Sequence, residues 1–191
     1  MNLEKNMIKQ CSLLKLIEDA KRLNVDWLSF IPEYLEIERE VISILGDDFS
    51  CVERIGNGAN SKIYKIGDFV LKIGNYRYPE KVPNLDEINH VYLRCNRELR
   101  SKNKVIYLGL EIQDYLEENA RITEDDLRRL YMSLRKKGYI WCDAKISNVR
   151  KDKNGILKII DTDYILEKKD PNIFVVSEFS KQFEKEYNLK A

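Results

Sequence analysis

The sequence predicts an α+β protein with a β-rich lobe, a small second lobe and a helical extension before them. Changes in the spacing of apolar residues carry this prediction. Apolar residues recur at helical spacing near the start of the chain, alternate or run together through residues 49–73, and return to helical spacing after Thr123. The expected boundaries are 1–48 for the helical extension, 49–117 for the β-rich lobe and 118–191 for the small lobe.

The composition is that of a globular protein without a strong charge bias. Of 191 residues, 43% are apolar and 34% are charged, and 33 basic against 32 acidic residues leave a formal charge of +1. This balance argues against nucleic acid or a membrane surface as a partner. No stretch approaches the ~18 apolar residues that span a bilayer. We therefore expect a cytoplasmic protein, although export as an effector by a receptor-read signal would not be visible in the sequence.

Two amphipathic helices are expected first, over residues 12–23 and 33–45. Their apolar faces contain Leu13, Leu16, Ile17, Ala20 and Leu23 in the first helix, and Tyr34, Ile37, Val41, Ile44 and Leu45 in the second. Gly46 suits the C-terminal end of the second helix. The segments FSCVERIG, SKIYKIGD and FVLKIG then predict a three-stranded meander within residues 49–73.

The remainder of the chain mixes helical and strand patterns. Residues 85–99 show helical spacing, and VIYLGLEIQ is typical of a strand. Thr123 and Asp126 form an approximate capping box that predicts a helix, with an apolar face of Leu127, Leu130, Tyr131 and Leu134. The polar stretch IWCDAKISN follows, and NVRKDKNGILKIID predicts a hairpin that turns at Asn154-Gly155.

Two of the three segments whose residues could take part in binding or catalysis lie in the meander. Gly56 and Gly58 stand between two expected strands, where the absence of Cβ atoms would let the backbone approach phosphates. For an isolated Gly-x-Gly, however, a hairpin that uses glycine in its turn is the better explanation. Lys72 interrupts an apolar strand and is either a solvent-facing residue or a buried cation that awaits an anion. It shares a strand face with Val70, and alternation does not decide which face is buried.

The third segment is the polar stretch together with the end of the predicted hairpin. Asp143, Asn148 and Asp161 supply hard oxygen ligands and a proton acceptor, which Mg²⁺ and a hydroxyl nucleophile require. Lys145 adds a positive charge beside them. The alternative is a polar loop in which Asp and Asn only cap turns. That alternative must also explain Lys72 and the glycines upstream.

In type and spacing the third segment resembles the protein kinase-like superfamily. Asp143-x-Lys145-x-x-Asn148 is similar to the catalytic loop of that superfamily, and Asp161, thirteen residues beyond Asn148, stands in the place of its metal-binding aspartate. The resemblance covers about residues 49–165. It implies a bilobal protein kinase-like fold with a β-rich N-lobe and a minimal C-lobe.

The meander resembles the same superfamily. Gly56-x-Gly58-x-x-Ser61-x-Ile63 is similar to the Gly-rich loop that covers a nucleotide, with serine in the place of the third glycine. Val70-Leu71-Lys72 resembles the strand that carries the phosphate-binding lysine. The resemblance therefore implies that ATP is bound with Mg²⁺.

By this resemblance the protein is a Ser/Thr or Tyr protein kinase that transfers the γ-phosphate of ATP to a hydroxyl. Lys72 would pair with the α- and β-phosphates, and Asn148 and Asp161 would hold Mg²⁺. Asp143 would accept the proton of the substrate hydroxyl or orient it, and Lys145 would neutralise charge on the transferring group.

The resemblance also implies two further contacts. Glu87, in the helix expected after the lysine strand, would be the ion-pair partner of Lys72, with Glu98 as the alternative on nearly the same helical face. Backbone groups near Asp114 to Leu116 would read adenine.

Several residues depart from the superfamily's pattern. Trp141-Cys142 replaces His-Arg, Asp161-Thr162-Asp163 replaces Asp-Phe-Gly with the role of Asp163 open, and Arg150 stands where an apolar floor for adenine is usual. Only 30 residues follow Asp161, as in small, truncated bacterial effector-type kinases. An activating protein partner is therefore conceivable. The alternatives are a small-molecule kinase and a pseudokinase that binds a nucleotide or a partner without chemistry.

Overall fold

The computed structural model of the chain describes residues 7–8, 12–21, 31–46, 49, 51–57, 61–74, 81–101, 104–118, 121–171, 173 and 176–189. These residues form an antiparallel sheet of five long strands, short two-stranded ladders and four α-helices, which confirms the α+β fold class. The chain divides into two compact units. The first contains residues 1–80 and 90–115, and the second contains residues 81–89 and 116–191.

The first unit combines two helices with the sheet. Helices α1 (Leu13–Lys21) and α2 (Ile31–Leu45) confirm the two predicted helices, and the residues they bury belong to the predicted apolar faces. Gly46 ends α2 with a φ of +74°, a backbone conformation that glycine adopts without strain. The strands are β1 (Met7–Ile8), β2 (Val52–Asn57), β3 (Ser61–Ile66), β4 (Phe69–Gly74), β5 (Val91–Ser101) and β6 (Lys104–Asp114).

The sheet has the strand order β1-β2-β3-β4-β6-β5, and every neighbouring pair is antiparallel. Strands β2, β3 and β4 form the predicted meander. Leu71 and Ile73 of β4 lie in the core with Leu110 and Ile112 of β6 and with the buried residues of α1 and α2. One face of the sheet is therefore covered by the two helices.

The helix predicted over residues 85–99 is wrong, because β5 occupies most of this segment. Strand β5 pairs with β6 from Val91 to Ser101. The sequence VYLRCN also alternates apolar and polar residues, so the local pattern permits a strand. Ladder hydrogen bonds to β6 outweigh the helical spacing, as tertiary context often does.

The second unit contains α3 (Glu124–Lys136), β7 (Tyr139–Trp141), a 3-10 turn (Ile146–Asn148), β8 (Val149–Lys151), β9 (Leu157–Ile159), β10 (Ile165–Glu167) and α4 (Glu178–Glu186). The predicted hairpin is confirmed as β8 and β9, and β7 pairs with β10. The sequence reading missed β7, β10 and α4 as elements. Within this unit α4 packs on α3, where Phe183 lies against Tyr131 with their ring centroids 4.6 Å apart. Among the described helices, none is long and apolar enough to cross a membrane.

The predicted capping box of α3 is present. The backbone N–H of Asp126 donates to Thr123 Oγ1 at 3.2 Å, and the backbone N–H of Thr123 donates to Asp126 Oδ2 at 3.0 Å. Each bond satisfies a donor that the first helical turn otherwise leaves without a partner.

We expect Thr123→Ala to lower the free energy of unfolding by about 1 kcal/mol, because it removes the acceptor at the start of α3. The measurement is equilibrium unfolding in denaturant. Thr123→Ser retains the hydroxyl and is the matched control, expected to cost less than half as much. Equal stability of Thr123→Ala and the parent chain would contradict a contribution from this cap.

Candidate functional site

The polar stretch IWCDAKISN is held in place by its apolar residues. Trp141, Cys142 and Ala144 are buried on either side of Asp143. Strand β7 pairs with β10, and the backbone N–H of Cys142 donates to the carbonyl oxygen of Tyr164 at 2.8 Å. The apolar residues therefore hold the loop against the rest of the second unit, while Asp143 remains partly exposed.

Two of the predicted catalytic and metal-binding side chains, those of Lys145 and Asn148, contact a third, that of Asp143, in this loop. Lys145 Nζ lies 2.6 Å from Asp143 Oδ2. Asn148 Nδ2 donates to the same Oδ2 at 3.0 Å and to the carbonyl oxygen of Asp143 at 3.1 Å. The 3-10 turn returns Asn148 to Asp143 and so makes these contacts possible. An ammonium group and an amide together set the orientation of the Asp143 carboxylate.

Asp161 lies two residues after the end of β9, the strand that pairs with β8, and β8 begins where this loop ends. In the β8–β9 ladder Val149 stands opposite Ile159, and the backbone N–H of Ile160 donates to the carbonyl oxygen of Asn148 at 2.9 Å. The hairpin thus brings Asp161 to the end of the ladder beside Asn148. The backbone N–H of Asp163 is 3.5 Å from Asp161 Oδ1.

The donor set at this end of the hairpin fits Mg²⁺. Asn148 uses its Nδ2 group on Asp143, which leaves Oδ1 as its atom for a cation. An amide oxygen and the Asp161 carboxylate are the hard oxygen ligands that Mg²⁺ accepts when phosphates and water complete its octahedron. In the described part of the chain, no group of three or more His, Cys, Asp or Glu side chains is placed to hold a metal ion.

Helix α4 contacts the loop backbone on both sides of Asp143. Ser180 Oγ donates to the carbonyl oxygen of Trp141 at 2.9 Å, and Ser177 Oγ is 3.3 Å from the carbonyl oxygen of Ala144. The backbone N–H of Ser177 donates to the carbonyl oxygen of Cys142. The sequence reading missed α4, although Ser177 is a suitable N-cap and Phe179 and Phe183 are spaced for one helical face. The N-terminus of α4 is thus part of the support of the loop.

The residues predicted to hold phosphates lie along one row of the sheet. Gly56 stands opposite Ile63, Ile63 opposite Lys72, and Lys72 opposite Glu111, so the row crosses β2, β3, β4 and β6. Ser61 is two residues from Ile63 on the same side of β3, and Gly58 lies outside the described residues.

The structure decides which face of β4 carries Lys72. Leu71 and Ile73 point into the core beneath α1 and α2. Because successive side chains alternate, Val70 and Lys72 belong to the opposite face of the sheet. Lys72 therefore lies on the face of the sheet that α1 and α2 do not cover.

The predicted pairing of Lys72 with Glu87 stays a prediction, because Glu87 belongs to the second unit and Lys72 to the first. Lys72 Nζ forms an ion pair with Glu111 Oε1 of β6 at 2.8 Å. Glu87 accepts hydrogen bonds from Ser133 and Lys137 of the second unit, the latter at 2.8 Å. Glu98, the alternative, stands opposite Tyr107 in the ladder of β5 and β6.

The backbone around Glu87 is part of the second unit. Without the predicted helix, this segment runs beside β9, where the N–H of Ile159 donates to the carbonyl oxygen of Glu87 at 2.7 Å. Burial works to raise the pKa of Glu87, but its hydrogen bonds with Lys137 and Ser133 outweigh burial and hold the pKa below its usual range. Glu87 is thus a structural residue of the second unit.

The segment predicted to read adenine has two of its backbone donors engaged. The N–H of Asp114 donates to the carbonyl oxygen of His90 at 3.2 Å, and the N–H of Tyr115 donates to the carbonyl oxygen of Asp68 at 2.8 Å. The Asp114 carboxylate accepts the hydroxyl of Tyr92 at 2.8 Å. Asp114 therefore stabilises the end of β6, and adenine recognition by backbone groups near Asp114 to Leu116 stays a prediction.

Two departures from the superfamily's pattern have structural roles. Arg150 donates to the carbonyl oxygens of Ser147 and Val149 at 3.0 and 2.8 Å, and so braces the backbone at the end of the loop. Burial raises the pKa of the Cys142 thiol to about 11, so this thiol is not a nucleophile at neutral pH although it is next to Asp143.

Comparison with known proteins adds no family assignment. No protein-family profile matches the chain, and no curated protein sequence is significantly similar to it. The residues and contacts described above are therefore the basis for inferring a function.

Proposed function

We propose that the protein is an ATP- and Mg²⁺-dependent phosphotransferase that transfers the γ-phosphate to a Ser, Thr or Tyr hydroxyl of a protein. One observation carries the proposal: Lys145 and Asn148 both contact the Asp143 carboxylate at the end of the ladder that leads to Asp161. A loop whose Asp and Asn only cap turns does not need a lysine on the same carboxylate.

Asp143 has the chemistry and surroundings of the group that handles the substrate hydroxyl. Its carboxylate is partly exposed, so an incoming hydroxyl can reach it. Lys145 and Asn148 limit its rotation, and a fixed acceptor orients the attacking oxygen better than a mobile one. The half-exposed Lys145 ammonium can turn towards charge that develops on the transferring phosphoryl group.

Asn148 and Asp161 are the proposed holders of Mg²⁺. The metal, when bound with ATP, would neutralise phosphate charge and orient the phosphates for in-line attack. The protein's own contribution is to present one amide oxygen and one carboxylate from adjoining backbone segments. The backbone hydrogen bond from Ile160 to Asn148 holds these two segments together.

Within the first unit, Lys72 and Gly56 are the residues proposed to contact the phosphates, and they lie on β4 and β2 with β3 between them. Lys72 lies on the third strand of the meander and is opposite Ile63, which is in turn opposite Gly56. Gly56 has no side chain, so phosphates could approach the β2 backbone closely. Lysine is a point charge that suits phosphate oxygens without demanding one fixed geometry.

The proposal is tested by incubating the protein with Mg²⁺, γ-labelled ATP and a protein extract. We expect label to reach protein in the parent chain, and Asp161→Asn to lower the rate about 100-fold or more, because it removes the charged metal ligand. Asp163→Asn is the matched variant, since it changes a carboxylate two residues away, and it is expected to stay within about threefold of the parent.

Other outcomes of this experiment would contradict the proposed site or indicate one of the alternative functions. Label transfer that persists in Asp161→Asn contradicts the proposed site. Transfer only to small hydroxylated acceptors indicates a small-molecule kinase. A rise in melting temperature with Mg-ATP but no transfer indicates a module that binds a nucleotide without chemistry.

A further inference from the structure

Three charged side chains form a row across neighbouring strands of the first unit. Lys72 of β4 and Arg94 of β5 each stand directly opposite Glu111 of β6. Lys72 Nζ is 2.8 Å from Glu111 Oε1, and Arg94 Nε donates to Glu111 Oε2 at 2.7 Å. The side chains are 12%, 4% and 1% exposed for Lys72, Arg94 and Glu111 respectively. Each carboxylate oxygen thus has its own cation.

A carboxylate this buried requires close charged partners. Burial works to raise the pKa of Glu111, but the charges of Lys72 and Arg94 and their hydrogen bonds outweigh burial and hold the pKa below its usual range. The planar guanidinium of Arg94 sets the carboxylate plane more firmly than an ammonium could. Arg94 therefore fixes Glu111 from the β5 side, and Glu111 presents Oε1 to Lys72.

We infer that Glu111 is the positioning residue for Lys72, and that it orients the lysine ammonium for the phosphates of ATP. This inference rests on the proposed function. In the protein kinase-like superfamily the corresponding glutamate comes from a helix, and the Lys–Glu pair must be in place for activity. Here the glutamate is a cross-strand neighbour of the lysine, held by the register of β4 and β6.

Because Glu111 lies on the strand beside Lys72, formation of this ion pair is not a step at which activity could be regulated by a moving helix. Residues directly opposite each other in an antiparallel ladder keep their spacing through the main-chain hydrogen bonds around them. Lys72 and Glu111 therefore remain paired for as long as this part of the sheet is folded. Movement of a helix is not needed to form the pair, so Lys72 is oriented before the nucleotide arrives.

The test is a double-mutant cycle of Lys72→Met and Glu111→Gln, with kcat/KM for ATP and the Kd of Mg-ATP as readouts. Glu111→Gln keeps the side-chain shape and removes the charge. We expect it to lower kcat/KM about 100-fold in the parent background, because a misplaced catalytic contact has an effect of that size. In the Lys72→Met background it should have no further effect, since its role is to place Lys72.

Two further variants keep the test decisive. Glu98→Gln changes a carboxylate on β5 that is opposite Tyr107, and kcat/KM is expected to stay within about twofold of the parent. If Glu111→Gln folds poorly because two cations lose one anion, Arg94→Met combined with Glu111→Gln removes one charge of each sign. The combined variant should fold and should show the same loss of kcat/KM.

The outcomes separate the inference from the proposed function. A parent chain that transfers phosphate, with Glu111→Gln unchanged or with losses that add to those of Lys72→Met, overturns the positioning role alone. A parent chain that neither binds Mg-ATP nor transfers phosphate overturns the proposed function, and the positioning role with it. A large loss in Glu111→Gln that vanishes in the Lys72→Met background supports both.

Discussion

Asp143→Asn is expected to lower kcat for phosphoryl transfer about 1,000-fold, within the range of 10²–10⁴ that a positioned general base contributes. Asparagine matches aspartate in shape and can still contact Lys145 and Asn148, but it accepts a proton very poorly. The affinity for Mg-ATP should change little, because Asp143 is proposed to act on the acceptor hydroxyl and not on the nucleotide. Single-turnover kinetics with γ-labelled ATP, together with calorimetric titration of Mg-ATP, would measure the two effects separately.

A matched control comes from the first turn of α3. Asp125 is exposed there, so Asp125→Asn removes an equal charge from the same unit without touching the loop. Its kcat should equal that of the parent chain, and its stability should fall by only a few tenths of a kcal/mol through the helix dipole. An Asp143→Asn variant that transfers phosphate at the parental rate would remove Asp143 from the chemistry.

Phe183→Ala is expected to lower the free energy of unfolding by about 3–5 kcal/mol, the usual cost of deleting a buried aromatic ring. Phe183 is only 2% exposed, and its ring lies 4.6 Å from the Tyr131 ring and 5.8 Å from the Phe179 ring, centroid to centroid. The cavity would lie between α3 and α4. Equilibrium unfolding in denaturant, followed by circular dichroism, gives the loss directly.

The same change should affect the loop that carries Asp143. Ser177 and Ser180 of the α4 region bond to the backbone of Trp141, Cys142 and Ala144, so weaker docking of α4 removes support from both sides of Asp143. Tyr187→Ala is the control, because this aromatic residue at the end of α4 is 47% exposed and should cost less than half as much. Equal losses for the two variants would show that α4 does not pack on α3 through Phe183.

The sequence alone was sufficient for elements whose signals are local. The capping box of Thr123 and Asp126, the hairpin turn at Asn154-Gly155 and the meander of β2 to β4 are each specified by residues a few positions apart, and each is present. The contacts among Asp143, Lys145 and Asn148 belong to the same class. The three residues lie within six positions of the chain, so a short turn is enough to bring their side chains near one another, although distant segments hold the loop backbone.

Elements that depend on distant pairing were not predictable in this way. Residues 91–101 satisfy a helical and a strand pattern at once, and pairing with β6 decides between them. Helix α4 needs the apolar face of α3 to bury Phe183, so its short sequence is a weak signal when taken alone. The ion pair of Lys72 with Glu111 joins residues 39 positions apart in the chain, and it depends on the register of β4 and β6.

By itself the sequence determined the local elements, the polar loop with its spacing of acid, amine and amide, and a hypothesis of phosphoryl transfer. The tertiary structure alone decided the strand β5, the placement of Lys72 on the sheet face opposite α1 and α2, and its ion pair with Glu111. The physical reason is the range of the interactions. Caps, turns and short loops are set by neighbours in the chain, whereas an ion pair between β4 and β6 exists only after the register of these two strands is established.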